Sequence, residues 1–121
     1  MDKSEDLMVI IRHAPHNSNW LREGLDAALV AAAFGQSVRL LFMGQGALAL
    51  CKEQQAGAPG QKATLPTIDM LEMYEIDQLN VPDQTLEELN IPLASLVNGV
   101  TPLSESQVKA LFSQPRLIFN F

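Results

Sequence analysis

An open α/β sandwich around a mostly parallel sheet is the fold this sequence predicts, and three observations carry it. Apolar runs rich in β-branched residues alternate with capped, helix-forming segments; most connections between them are short; and the first apolar run, Leu7 to Ile11, has no polar position at all. A strand that is apolar on both sides belongs in a sheet covered on both faces, the usual condition of parallel sheets. Strands that alternate with helices through short loops build layered α/β domains. At 121 residues the chain forms one domain spanning residues 1–121, because a chain of this size buries roughly two thirds of its unfolded surface around a single core. Two independent domains are excluded.

The elements follow in order. Leu7 to Ile11 is the first strand. His13-Ala14-Pro15-His16-Asn17-Ser18-Asn19 is a loop in which Asn17, Ser18 and Asn19 can each cap the helix that follows. That helix runs from about Trp20 to Phe34 and stops at Gly35, which accepts the left-handed conformation common just past a helix. Its polar residues, Arg22, Glu23 and Asp26, are confined to the first two turns, and every residue from Ala27 to Phe34 is apolar. A helix that is apolar all round must be covered on more than one side. The sheet covers one side, and a neighbouring subunit is the natural cover for the other.

Val38 to Met43 is the second strand, followed by the Gly44-Gln45-Gly46 turn and a short helix from Ala47 to Lys52. Glu53 to Pro66, with Gly57-Ala58-Pro59-Gly60 at its centre, is a long irregular surface excursion. Thr67 caps a helix to Met73 or Tyr74, and Gln78 to Val81 is the third strand. Pro82 and Asp83 open a helix to about Leu89, with Thr85 and Glu88 as an alternative capping box; Leu93 to Asn98 is a candidate fourth strand. The sharpest local signature comes next. Ser104 and Gln107 have capping-box spacing, and Leu103 and Val108 occupy the two staple positions, so a helix runs from Glu105 to Ser113. Pro115 stops it, and Arg116 to Phe121 is the closing strand.

Composition narrows the function. The chain is 47% hydrophobic and only 18% charged, below the roughly 25% charged of an average soluble domain, which suggests surface shared with another subunit. A net charge of −6 disfavours a nucleic-acid binder, since affinity for phosphate backbones comes from Lys and Arg. One cysteine cannot form an intrachain disulfide, and two histidines with one thiol match no common zinc spacing. The acidic start Met1-Asp2-Lys3-Ser4-Glu5-Asp6 is unlike a signal peptide, and no apolar run approaches the roughly 20 residues of a spanning helix. A cytoplasmic protein without metal or cofactor is expected.

Few residues are candidates for chemistry. His13 and His16 follow the first strand, on the edge where open α/β sheets bind ligands; a metal or acid–base role lacks a third ligand or an oriented partner, and hydrogen bonds that position the loop account for them better. Gly44-x-Gly46 lacks the third glycine of the dinucleotide pattern and the Lys-Ser/Thr of the P-loop, so a tight turn explains it. Arg22 and Asp26 have the spacing of a helix-surface ion pair. Cys51 is a persulfide carrier only if its thiolate is exposed and stabilised; its surroundings, Ala47-Leu48-Ala49-Leu50, argue for burial and an inert thiol. Leu79-Asn80-Val81-Pro82-Asp83, at the end of the third strand, contains no Cys, Ser, His or Lys.

Ala14-Pro15-His16, Arg22-Glu23-Gly24-Leu25-Asp26-Ala27, Phe42-Met43-Gly44-Gln45-Gly46, Thr101-Pro102-Leu103 and Arg116-Leu117-Ile118-Phe119-Asn120-Phe121 together resemble the TusC branch of the DsrE/DsrF-like sulfur-relay family, nearly end to end. The resemblance implies a three-layer α/β/α sandwich with a five-stranded parallel sheet. It also implies a cytoplasmic hetero-hexamer with TusB-like and TusD-like subunits, which passes persulfide sulfur from TusA-like to TusE-like proteins for 2-thiouridine formation at the tRNA wobble position. In that family the TusD-type subunit carries sulfur on a cysteine after the third strand, and the matching stretch here, Leu79 to Asp83, has none; Cys51 lies too early to match. The resemblance thus implies a non-catalytic subunit of a sulfurtransferase complex, with no catalytic residue of its own and no direct contact with nucleic acid. Three alternatives stand beside it: a DsrF-type subunit of a sulfur-oxidation complex, a stand-alone sulfur carrier using Cys51, and a small-molecule binder using the loop from His13 to Asn19.

Overall fold

Five strands, all parallel, stand in the order β4-β3-β2-β1-β5. They are β1 (Leu7–Ile11), β2 (Val38–Phe42), β3 (Gln78–Pro82), β4 (Val100–Leu103) and β5 (Leu117–Asn120). Among the elements described from end to end are the helices α1 (Trp20–Ala33), α2 (Asp83–Glu88) and α3 (Glu105–Ser113). The computed structural model describes residues 7–13, 19–51, 70–71, 73–74, 76, 78–114 and 117–121.

The apolar run of β1 is buried at every position because this interior strand, between β2 and β5, has a packed layer on each side. Side chains alternate between faces along a strand. Leu7, Val9 and Ile11 join Leu40 and Phe42 of β2 and Leu79 and Val81 of β3 beneath α1, α2 and the 3₁₀ helix Gly44–Leu50. Met8, Ile10 and Leu41 point the other way, toward Val108 and Leu111 of α3. Among the described residues the two outer layers are therefore unequal, for α3 is the one helix packed on the second face. One helix is about 10 Å across, whereas five strands span about 19 Å. Polar side chains occupy part of this second face: Arg39 Nη1 donates to Asn80 Oδ1, and Asn80 Nδ2 donates to the carbonyl of Thr101 at 3.2 Å.

Helix ends follow the sequence closely. Past α1, Gly35 takes φ +90°, its N–H bonds to the Ala32 carbonyl at 3.0 Å, and the Gln36 N–H bonds to Ala31 at 3.1 Å. This is the reciprocal pair of a Schellman stop. Asn19 is the N-cap of α1 without a side-chain bond; Asn17 and Ser18 lie outside the described residues. In α3 the capping box forms fully: the Gln107 N–H donates to Ser104 Oγ at 3.3 Å, and the Ser104 N–H donates to Gln107 Oε1 at 2.8 Å. Caps of this kind contribute about 1 kcal/mol. Leu103 and Val108 pack in the same cluster, completing the staple.

Four sequence expectations are corrected. Leu93 to Asn98 is not the fourth strand. Pro92 starts a 3₁₀ turn over Leu93–Ser95, Leu96 pairs in one isolated bridge with Cys51, and β4 lies further on at Val100–Leu103. Pro102 hides that strand from a pattern reading, yet an edge strand tolerates proline. The short helix after the second strand is 3₁₀ and begins at Gly44, not Ala47; Lys52 is outside the described residues. Thr85 and Glu88 form no box, because α2 already starts at Asp83, Thr85 is buried, and Glu88 accepts from Gln84 at 3.2 Å instead. The i, i+4 ion pair formed among the described residues is Glu105–Lys109 at 3.7 Å, not Arg22–Asp26, in line with the preference for the acid on the N-terminal side.

The proposed excursion Glu53 to Pro66 and the Thr67 cap lie outside the described residues, although Met70, Leu71 and Met73 are helical. Along α1, Ala28 is buried and Leu29, Ala31 and Ala32 pack on the core. On the opposite side Val30 is 56% and Phe34 84% exposed.

Candidate functional site

Every strand of a parallel sheet delivers its following loop to the same edge, so whatever chemistry the domain has should gather there. Four loops meet at this edge. The chain leaves β3 into α2, whose Leu86 packs on the first face, and leaves β4 into α3, whose Val108 packs on the second. The connections after these neighbouring strands diverge, opening a crevice of about 410 Å³ between α2 and α3. Pro82 and Leu103, buried at the ends of β3 and β4, line it with the half-buried Met43 and Val108. The charged residues around it are Arg12, Glu88, Glu105 and Lys109, with Gln84 and Thr85 on the α2 wall.

Arg12 stands at the end of β1. Its Nε donates to Asn120 Oδ1 at 3.0 Å, and its backbone N–H donates to the Phe121 carbonyl at 2.7 Å. Gly44 and Gly46 carry the chain past this point. Gly44 takes φ +53°, and a Cβ on Gly46 would strike the carbonyl oxygen of Ile11. The glycines thus serve a turn, as the sequence indicates, and also a close approach to the end of β1 that the sequence does not show.

The other sequence candidates do not converge here. His13 is exposed and stacks on Trp20, with ring centroids 5.5 Å apart; His16 lies outside the described residues. Cys51 does not line the crevice. It caps the 3₁₀ helix, is half-buried, and bridges to Leu96, where the Val97 N–H donates to the Leu50 carbonyl at 2.8 Å. Burial pushes its thiol pKa above the ordinary value. Less thiolate is therefore present at neutral pH, and thiolate is the reactive form. Alkylation by iodoacetamide at about pH 7.5 should run slower than for an unstructured thiol peptide and should quicken as pH climbs past about 9; rapid labelling at neutral pH would refute this picture of Cys51.

Among the described residues no three His, Cys, Asp or Glu side chains are grouped to hold a metal ion, and no helix is long and apolar enough to cross a membrane. Leu79 to Asp83 reaches the crevice at Pro82 and contains no Cys, Ser, His or Lys. The crevice residues that sequence reasoning missed, Arg12 and Lys109, carry no motif, and Asn120, though in the closing Arg116 to Phe121 segment, gives no sign there of its bond to Arg12. Their signal is positional: they sit at or just after strand ends, or on the first turns of the helix that follows.

An all-parallel α/β sandwich with a switch-point crevice and no reactive group at the end of its third strand is the class of protein these features define. Residues 5–121 match the model of the DsrE/DsrF-like family, and the chain belongs to that family. Similar curated proteins include a Protein TusC homolog of Vibrio parahaemolyticus, 31% identical over 95% of this chain and 98% of that one. Protein TusC of Klebsiella pneumoniae is 30% identical over 93% of this chain and 95% of its own length. The crystal structure of the ychN protein from E. coli superposes with a TM-score of 0.81, covering 98% of this chain and all of that one. At 15% sequence identity that likeness speaks for the fold alone.

Proposed function

We propose that this chain is a non-catalytic structural subunit of a TusBCD-like sulfurtransferase complex in the cytoplasm, which relays persulfide sulfur for 2-thiouridine formation at the tRNA wobble position. The observation that carries the reading is the bare end of β3. The sister subunit of TusD type is expected to hold its sulfur on a cysteine after this strand, and here Pro82 and Asp83 stand at that place. Cys51, away from the crevice and with its thiol pKa raised by burial, is a poor substitute. A subunit that carries no sulfur contributes surface, and Val30 and Phe34 supply an apolar one.

In this role the chain binds TusB-like and TusD-like subunits in a hetero-hexamer, meets TusA-like and TusE-like proteins only through that assembly, and leaves the tRNA to downstream partners. Its net charge of −6 suits that division of labour. Co-expression with the TusB-like and TusD-like chains, followed by size-exclusion chromatography, tests it. All three chains should co-elute as one species. A stable monomer indifferent to both sisters would overturn the proposal. If the assembly delivers sulfur to an oxidative acceptor rather than a TusE-like one, the DsrF-type reading replaces the tRNA pathway.

A further inference from the structure

We infer that the turn Asn98-Gly99, which leads into β4, is a site of spontaneous covalent modification: the Asn98 carboxamide is lost as ammonia through a cyclic imide, and the chain ages into aspartate and isoaspartate forms. This inference stands independently of the relay role.

Asn98-Gly99 is the one Asn-Gly pair in the chain. Asparagine is labile when the backbone nitrogen of the next residue can reach its side-chain carbonyl, and a following glycine has no side chain to obstruct the approach. Both residues are exposed here. Gly99 takes φ +91°, and no atom beyond its chain neighbours lies within 4 Å of where a Cβ would stand. Neither the Gly99 N–H nor the Asn98 carboxamide is engaged in a hydrogen bond among the described residues. Other asparagines are held or hindered. Asn80 is 2% exposed, and its carboxamide both accepts from Arg39 and donates to Thr101. Asn19, Asn90 and Asn120 precede the bulky Trp20, Ile91 and Phe121. Asn17, followed by the smaller Ser18, is the internal comparison.

Water is the only co-reactant. Solvent base takes the Gly99 amide proton and the nitrogen attacks Asn98 Cγ; the N–Cγ bond forms, the bond from Cγ to the carboxamide nitrogen breaks, and ammonia leaves with the proton. Water then opens the imide ring. Cleavage of N–Cγ gives aspartate. Cleavage at the former Asn98 backbone carbonyl gives isoaspartate, whose backbone runs through the side chain and gains a methylene. Nothing is oxidised or reduced.

Either product adds a negative charge to a chain already at −6. Isoaspartate also lengthens a link pinned at both ends, since the Val97 N–H donates to the Leu50 carbonyl at 2.8 Å and Val100 is in register with Leu79. Because β4 is an edge strand of 4 residues, the added methylene loosens it.

The experiment ages the full chain in warm, mildly alkaline buffer and follows it by anion exchange and peptide mapping. An acidic species should grow, with Asn98 converting at least about tenfold faster than Asn17, and at a rate within about tenfold of that in urea. Asn98→Gln, which must close a larger ring, should lose that species. The acidic fraction should melt about 4 °C or more below the unaged chain, whereas Asn98→Asp, which has the charge without the methylene, should melt within about 2 °C of it. Conversion first at another residue, a folded-state rate at Asn98 more than about tenfold below that in urea, an acidic species that persists in Asn98→Gln, or an acidic fraction that melts with Asn98→Asp would overturn the proposal.

Discussion

Gly46→Ala should destabilise the domain by about 3 kcal/mol or more, the upper end of what overpacking a well-filled interior costs. The new Cβ would overlap the Ile11 carbonyl oxygen, lie 2.7 Å from the Ile11 carbonyl carbon and 3.2 Å from the Arg12 nitrogen. All three are backbone atoms, and they cannot swing aside as a side-chain end could. Ile11 is held in register with Phe42 of β2, and its carbonyl accepts the Met43 N–H at 2.8 Å, so relief requires shifting β1, an interior strand of the sheet. In a domain of this size the loss corresponds to a fall in Tm of about 10 °C, readable by circular dichroism. Gly99→Ala is the control. Gly99 takes φ +91° with nothing within 4 Å of the added Cβ, so only the left-handed backbone opposes it, at about 1–2 kcal/mol. Equal losses at both sites would show that the close approach to β1 is not what demands Gly46.

The second large effect is on assembly. Val30→Lys combined with Phe34→Lys should leave the melting temperature of the isolated chain within a few degrees, because both side chains point away from the core and exposed substitutions typically change stability by under about 0.5 kcal/mol. Positive charge near the C-terminal end of α1 is, if anything, favoured by the helix dipole. If this face is sealed by a sister subunit, burying two unpaired ammonium groups there costs several kcal/mol, and co-elution with the TusB-like and TusD-like chains should disappear. Retained co-elution would move the interface elsewhere, toward Leu117 and Phe119 on β5, which are 54% and 41% exposed.

How far the sequence could be read depended on where each signal resides. Local chemistry was legible: the Gly35 stop, the Ser104–Gln107 box and the apolar run of β1 are dictated by neighbours within a few residues, and each takes the expected form. The misplaced fourth strand shows the opposite case. Leu96 is buried and apolar without being in the sheet, while Thr101 and Pro102 are in the sheet and look like loop; only the edge position of β4 reconciles them. The asymmetry of the layers among the described residues was equally hidden, since it depends on which face each helix crosses. The bare end of β3 could be seen in the sequence, but the crevice beside it could not. Arg12 follows β1, while Thr85, Glu105 and Asn120 lie in α2, α3 and β5, and only the strand order brings them to one edge. Thr85 was even read as a cap, because three-residue spacing to Glu88 suits a box whatever the side chain's burial.

The central claim is that sulfur passes through the complex on a sister chain and never on this one. Transfer of labelled sulfur from a TusA-like donor to a TusE-like acceptor, measured in the reconstituted assembly with the parent chain and with Cys51→Ser, tests it most directly. The account predicts equal rates and no sulfur adduct on this chain in the intact mass. A collapse of transfer with Cys51→Ser, together with a persulfide on Cys51 in the parent, would contradict it.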